Sequence, residues 1–152
     1  MLRSDCNRGV SGIDGSTSTA AGAACVGEGM TVLITGDMSF SYDVNGLSST
    51  YLSPRFKIIV MCNGGGGIFR FIKPTSDLPE LETCFEIHRD ISVEKYADLF
   101  GLRYFELNDE KSAAEVLSLF FAEEDRPAIL AVHTPNVYNA EVLRGYFRRS
   151  RQ

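Results

Sequence analysis

The chain has 152 residues and a formal net charge of −5, from 15 lysines and arginines and 20 acidic residues. At roughly 100–200 residues per domain, this length predicts one domain with a substantial hydrophobic core and excludes a mini-protein. The 44% hydrophobic and 23% charged residues are typical of a globular chain and not of a disordered one.

The charge pattern and the short apolar runs limit the classes of partner. Nucleic-acid binding needs clustered basic residues, and the only basic run is 148–151, interpreted as a solvated tail. The longest apolar stretches, 58–62 and 128–132, are far shorter than the roughly 20 residues of a membrane helix. No signal peptide precedes them, so we expect no nucleic-acid or membrane partner and a cytoplasmic protein.

Short apolar runs rich in β-branched residues alternate with segments of helical period. The runs 31–35, 57–61, 103–107 and 128–132 predict β-strands, and two of them are apolar nearly throughout, as buried parallel strands are. Three segments place apolar residues on one helical face, which we expect to pack onto the sheet. Their residues are Val93, Tyr96, Ala97 and Phe100; Ala113, Val116, Leu117 and Phe120; and Val142, Leu143, Tyr146 and Phe147.

The alternation of strands and helices predicts an α/β fold with a parallel sheet flanked by helices on both faces. Ser92 is the expected N-cap of the first helix named above and Gly101 its C-terminal stop. Region 71–88 has two prolines and no clear period, which predicts a surface connection able to order over a ligand.

Polar residues follow the first two predicted strands. Asp37 comes after the first strand, and Asn63 follows the second and precedes the glycine run 64–67. If the strands are neighbours, both side chains emerge at one sheet edge, where ligands of parallel sheets bind. With a backbone carbonyl of the glycine run they offer oxygen ligands for Mg²⁺, and the glycines let the backbone approach a diphosphate.

Each of these features also has a simpler interpretation. Asp37 can cap the following helix, and the glycines can form a flexible turn. The dinucleotide pattern G-x-G-x-x-G fails because Phe69 stands where a glycine is needed, and no phosphate-loop Gly-Lys-Ser/Thr is present. Asp14, Asp43, His88 and His133 are expected in surface, capping or hydrogen-bonding roles.

The spacing of the two polar loops resembles the metal and diphosphate signature of thiamine-diphosphate enzymes. Gly36-Asp37 is followed, after 25 residues, by Asn63. Met38 and Cys62 depart from the common Gly-Asp-Gly and Asn-Asn forms, and Gly64 is a further variant of the second loop.

Four segments look like the corresponding stretches of one family within this group, 2-succinyl-5-enolpyruvyl-6-hydroxy-3-cyclohexene-1-carboxylate (SEPHCHC) synthase of menaquinone biosynthesis. They are 7–15, 18–22, 36–45 and 65–69. This family also has a non-glycine residue after the aspartate. The resemblance is specific over residues 6–72 and architectural beyond them.

The resemblance implies a thiamine-diphosphate-binding fold and a role for each matching residue. Asp37, Asn63 and the Gly65 carbonyl would be ligands of Mg²⁺ or Mn²⁺, and Arg8 would contact a substrate carboxylate. Ile13 would hold the cofactor bent, with Ile68 and Phe69 on its thiazolium side; all three can instead be core residues. The full set implied to contact the cofactor is Ile13, Gly36, Asp37, Met38, Ser39, Asn63, Gly65, Gly66, Ile68 and Phe69.

For the whole protein, the resemblance implies a transferase in which residues 1–152 form the pyrophosphate-binding domain. This domain would be part of a longer multidomain enzyme, trimmed at its N-terminal edge. The enzyme would decarboxylate 2-oxoglutarate and add the carbanion to isochorismate. An activating glutamate would come from the pyrimidine-binding domain of a partner subunit in a homodimer or homotetramer, so the chain alone is expected to be inactive.

Two other functions fit the same residues. The chain can belong to another thiamine enzyme, such as an acetolactate synthase or a 2-oxoacid decarboxylase, which the 7–15 loop and Met38 disfavour. It can also be a non-catalytic module that binds Mg²⁺ and a diphosphate.

Overall fold

A four-stranded sheet lies at the centre of the structure, which is a computed structural model describing residues 3–6, 12–86, 89, 91–122 and 125–149. Its strands lie in the order β1-β2-β4-β3 and are all parallel. They are β1 (Thr31–Gly36), β2 (Phe56–Cys62), β3 (Arg103–Leu107) and β4 (Ala128–His133). The four predicted strands and their parallel arrangement are therefore confirmed.

The strand register places the candidate loops beside each other. Gly36, the last residue of β1, is opposite Met61 in β2. Cys62, the last residue of β2, is opposite His133 in β4. Because the strands are parallel, the segments after β1, β2 and β4 all leave the sheet at the same edge.

Seven α-helices and two other helical segments surround the sheet in the described part of the chain. The α-helices are α1 (Ser16–Val26), α2 (Asp37–Tyr42), α3 (Gly67–Phe71), α4 (Lys73–Ser76), α5 (Val93–Phe100), α6 (Ala113–Phe121) and α7 (Asn136–Arg149). A 3₁₀-helix covers Val44–Ser48 and a π-helix covers Leu81–Phe85. No helix in these described ranges is long and apolar enough to cross a membrane.

Helices cover both faces of the sheet, as the sequence predicts. On one face, side chains of α1, α2, α5 and the 3₁₀-helix pack against Ile58, Val60 and Ile129. On the other face, Phe120 of α6 packs against Ala128 and Leu130. Burial on both faces explains why β2 and β4 are apolar nearly throughout.

Helix α5 has the predicted start and end. The Ser92 side chain accepts a hydrogen bond from the Lys95 amide at 3.3 Å. Gly101 has φ +68°, a left-handed conformation that ends the helix and suits glycine. Val93 and Ala97 face the core, so the predicted apolar face is confirmed.

The prediction that the apolar stripe of α7 packs onto the sheet is wrong. Val142, Leu143, Tyr146 and Phe147 are all more than 40% exposed. The inward face of α7 instead holds Asn136 and Ala140, one turn apart, and the half-buried Arg144 two turns from Asn136. This face packs against α3 and its neighbouring loop, where polar contacts decide which side of the helix turns inward.

Region 71–88 is more ordered than the predicted surface connection. It contains α4 and the π-helix, and Leu81 and Glu86 are buried. Its last two residues, Ile87 and His88, lie outside the described ranges. In the predicted solvated basic tail, Arg148 and Arg149 are exposed as expected, but they lie in α7.

Candidate metal and diphosphate site

Asp37 lies at the carboxyl edge of the sheet, between the two candidate loops. It follows β1 as the first residue of α2 and is 4% exposed. Its Oδ2 accepts the backbone N–H groups of Asn63, Gly64 and Gly65 at 3.0, 2.9 and 3.1 Å. Its Oδ1 accepts the N–H of Met38 at 2.7 Å. The side chain therefore joins the two candidate loops and does more than begin its own helix.

The glycine loop, residues 64–67, has positions whose backbone conformation only glycine adopts without strain. Gly64, Gly65 and Gly66 have φ values of +86°, +91° and +64°. In this loop, the successive N–H groups of Asn63, Gly64 and Gly65 all donate to one carboxylate oxygen, in the manner of a backbone nest. The loop is thus held by defined hydrogen bonds, and the interpretation as a flexible turn does not apply.

The predicted ligand oxygens lie in these same two loops. Among the described residues, the Asn63 Oδ1 accepts one hydrogen bond, from the Gly65 N–H at 3.1 Å. The Gly65 carbonyl accepts one from Asn136 Nδ2 at 3.0 Å, and the Asp37 Oδ1 accepts one from Met38. A carbonyl or carboxylate oxygen has two lone pairs, so each of the three retains acceptor capacity for a cation.

A third loop, at the start of α1, is hydrogen-bonded to α2, the helix that begins with Asp37. The Ser39 hydroxyl donates to the Ile13 carbonyl at 2.9 Å. The Ser16 hydroxyl lies 2.7 Å from the Ser39 oxygen and must be the donor there, since the single Ser39 proton is already used. These bonds bring the predicted cofactor residues Ile13 and Ser39 together.

The predicted apolar cofactor contacts differ in exposure. Ile13 is 43% exposed and Ile68 is 61% exposed, so the core interpretation fails for both. Phe69 is half-buried, with its ring 5.4 Å from that of Phe85. Gly36 is exposed and Met38 half-buried at the end of β1.

Gly66 also has no room for a side chain. A Cβ there would lie 2.8 Å from the Glu86 Cα and would overlap the Phe85 carbonyl. The π-helix therefore packs directly against the glycine loop. Through this contact, region 71–88 forms part of the surroundings of the site.

Asn136 belongs to the site but was not among the predicted residues. It is the first residue of α7 and is 8% exposed. It lies 71 positions after Gly65, and no motif or period links the two residues in the sequence. The only available signal was its position shortly after the predicted strand 128–132, at the carboxyl edge of the sheet.

Cys62 is held as a neutral thiol beside this site. Burial, followed by the negative charges of Asp37 and Glu106, raises the pKa of Cys62 to about 11. Because a thiolate is the form that attacks or binds metal, Cys62 is poorly suited to either role at neutral pH. His133 pairs with Glu106 at 2.9 Å on the surface, as its predicted hydrogen-bonding role requires.

Other predicted residues lie apart from the site or outside the described ranges. Arg8 and its loop 7–11 are outside those ranges. Asp14 is exposed, and Asp43 caps α1 by accepting the Ser18 N–H at 2.7 Å. Within the described ranges, no group of three His, Cys, Asp or Glu side chains has metal-binding geometry. A cation at this edge would therefore use one carboxylate with amide and backbone oxygens.

The chain is similar to three bacterial proteins named 2-succinyl-5-enolpyruvyl-6-hydroxy-3-cyclohexene-1-carboxylate synthase. It is 50% identical to that of Porphyromonas gingivalis over 93% of the chain and 24% of the relative. It is 46% identical to that of Flavobacterium johnsoniae over 94% of the chain and 26% of the relative. For Christiangramia forsetii the identity is 40%, over 96% of the chain and 25% of the relative.

These similarities confirm the resemblance to this synthase and extend it beyond residues 6–72. The chain spans about a quarter of the length of these relatives. No family model matches it.

Proposed function

We propose that this chain is the domain of a SEPHCHC synthase that binds Mg²⁺ and the diphosphate of thiamine diphosphate. The observation that carries the proposal is the junction of two loops by Asp37, whose Oδ2 accepts three consecutive N–H groups of residues 63–65. The similarity to proteins named as this synthase supports the same assignment.

The oxygen donors fit a hard cation. Asp37 Oδ1, Asn63 Oδ1 and the Gly65 carbonyl would supply three of the six oxygens that Mg²⁺ requires, and diphosphate oxygens and water would complete the set. A single carboxylate suits this arrangement because the diphosphate brings its own negative charge. Mn²⁺ takes the same kind of ligand and is an expected substitute.

The remaining residues would position the organic part of the cofactor. The exposed Ile13 and Ile68 offer apolar surface to its rings, and Ser39 fixes the Ile13 backbone. Gly36 and Met38 would border the diphosphate. When bound, thiamine diphosphate would supply the stabilisation of negative charge that decarboxylation and carbon–carbon bond formation require.

The proposed reaction of the whole protein decarboxylates 2-oxoglutarate and adds the resulting carbanion to isochorismate, in the menaquinone pathway of the cytoplasm. Arg8 would bind a substrate carboxylate through its two-pronged guanidinium group. The activating glutamate would come from the pyrimidine-binding domain of a partner subunit in a homodimer or homotetramer. We therefore expect the 152-residue chain by itself to be inactive.

The test is a substrate comparison with the natural protein that contains this chain. It would be supplied with Mg²⁺, thiamine diphosphate and 2-oxoglutarate, with and without isochorismate, and in parallel with pyruvate alone. With 2-oxoglutarate and isochorismate together, we expect CO₂ release and carbon–carbon bond formation. Both should be lost when Asp37 is replaced by Ala.

Turnover of pyruvate alone would indicate an acetolactate synthase or a decarboxylase. Cofactor binding without turnover of either substrate would indicate a non-catalytic module. Mg²⁺-dependent activity that survives the Asp37→Ala change would contradict the metal assignment.

A further inference from the structure

Asn136 makes a direct contact with the candidate cation site from the opposite end of the chain. It begins α7, immediately after the segment that follows β4, and is more than nine-tenths buried. Its Nδ2 donates a hydrogen bond to the Gly65 carbonyl at 3.0 Å. The orientation of the amide follows from chemistry, since the carbonyl oxygen can only accept.

This hydrogen bond acts on a proposed ligand atom. The Gly65 carbonyl is the one backbone oxygen assigned to the cation, and it belongs to a loop of three glycines with positive φ. Glycine backbone is conformationally permissive, so the direction of this carbonyl depends on what the oxygen and the N–H groups contact. Asp37 holds the N–H side of the loop, and Asn136 holds the carbonyl side.

The oxygen of the Asn136 side-chain amide argues against a merely structural role. Its Oδ1 is buried and has no hydrogen-bond donor among the described residues. A Cβ on Gly67 would overlap this oxygen and would lie 2.8 Å from Asn63 Nδ2, so both amides border the same glycine. Burying an acceptor without a donor destabilises the folded state. An apolar side chain of the same size would avoid that cost, yet it would leave the Gly65 carbonyl without its donor.

We propose that Asn136 is a positioning residue for the cation site. Its Nδ2 group holds the Gly65 carbonyl in one orientation, in which the free lone pair of the carbonyl oxygen points at the cation. This inference deepens the proposed function and rests on it. Residues that orient the ligands of a metal in this way typically contribute 10–100-fold to metal affinity or activity.

The test measures Mn²⁺ binding to the natural protein in the presence of thiamine diphosphate, through the electron paramagnetic resonance signal of free Mn²⁺. Asn136→Leu preserves the size of the side chain but removes the donor and the unpaired acceptor. We expect its Mn²⁺ dissociation constant to rise about 10–100-fold. Its thermal midpoint should stay close to that of the wild type, because removal of the unpaired Oδ1 offsets the loss of the donor to the Gly65 carbonyl.

Asn139→Leu is the matched control. Asn139 lies on the same helix, and its Nδ2 also donates to a backbone carbonyl, that of Thr134, at 3.2 Å. Since this bond does not touch the glycine loop, we expect Mn²⁺ affinity within twofold of the wild type. Asn136→Ala carries the same expectation as Asn136→Leu and replaces it if the leucine variant does not fold.

The outcomes separate this inference from the proposed function. If Asp37→Ala leaves Mn²⁺ binding unchanged, the proposed cation site is wrong and the role of Asn136 fails with it. If Asp37→Ala abolishes binding but the Asn136 variants stay within twofold of the wild type, only the positioning role is overturned. Equal loss of affinity in the Asn136 and Asn139 variants would also overturn it, because that result indicates a general effect of α7.

Discussion

At the scale of single residues, two glycines have nearly the same backbone conformation but different surroundings. Gly66 has φ +64° and Gly101 has φ +68°. A Cβ at Gly101 would meet no atom within 4 Å, whereas one at Gly66 would lie 2.8 Å from the Glu86 Cα. Alanine substitutions at the two positions therefore separate two free-energy costs: that of the left-handed conformation, and that of the overlap between a side chain in the glycine loop and the π-helix.

Gly66→Ala should destabilise the protein more than Gly101→Ala. The change at Gly101 should cost about 1–2 kcal/mol, the usual penalty for a left-handed non-glycine residue. The overlap at Gly66 should add about 1–3 kcal/mol, as overpacking of a tight contact does. Denaturant unfolding of both variants measures the difference, and equal losses would contradict the close packing described for Gly66.

The raised pKa of Cys62 makes a second prediction at this scale. With a pKa of about 11, against an ordinary value of 9.0, the thiolate fraction at pH 8 falls about 100-fold. Alkylation of Cys62 by iodoacetamide at pH 8 should therefore be much slower than that of the exposed Cys84. Replacing Glu106 with Gln removes one of the charges that raise the pKa, so labelling of Cys62 should accelerate. Equal labelling rates at Cys62 and Cys84 in the folded protein would contradict the assignment.

At the scale of elements, an ion pair joins α3 to the segment that covers the glycine loop. The Arg70 Nε donates to Glu86 Oε1 at 2.8 Å, and Nη2 contacts Glu82 Oε1 at 2.8 Å. The Glu86 side chain is fully buried, whereas that of Glu82 is 68% exposed. One arginine thus makes a buried and a surface ion pair, and the two are expected to differ greatly in their contribution to stability.

Arg70→Met should destabilise the fold by about 3–5 kcal/mol, because it leaves the buried Glu86 carboxylate without its partner. Glu82→Gln should cost at most about 1 kcal/mol, as the loss of an exposed pair does. Unfolding in urea compares the two. If the Arg70→Met/Glu86→Leu double variant is no more stable than Arg70→Met alone, the loss does not come from the unpaired carboxylate.

The success of sequence-based prediction also depends on the element. The strands and α5 follow from local patterns, since apolar runs, the Ser92 cap and Gly101 each act within a few residues. The orientation of α7 could not be predicted, because contacts to the remote Gly65 and Arg70 turn Asn136 and Arg144 inward while the apolar stripe stays exposed. The positions of Asp37 and Asn63 after two strands predicted their meeting for neighbouring strands, but Asn136 has no sequence pattern that links it to the site.

At the scale of the whole molecule, the parallel sheet brings remote parts of the chain to one edge. Asp37, Asn63 and Asn136 follow three adjacent strands, β1, β2 and β4, and a network of hydrogen bonds connects all three through Gly65. This arrangement is the usual position of ligand sites in parallel sheets, beyond the carboxyl ends of the strands. The central proposal is that a divalent cation and a diphosphate bind there.

A crystal structure of the natural protein with thiamine diphosphate and Mn²⁺, with anomalous diffraction locating the metal, tests this proposal most directly. We expect one Mn²⁺ peak within direct coordination distance of Asp37 Oδ1, Asn63 Oδ1 and the Gly65 carbonyl, beside the diphosphate. A structure with the cofactor bound and the Mn²⁺ held by other residues would contradict the account.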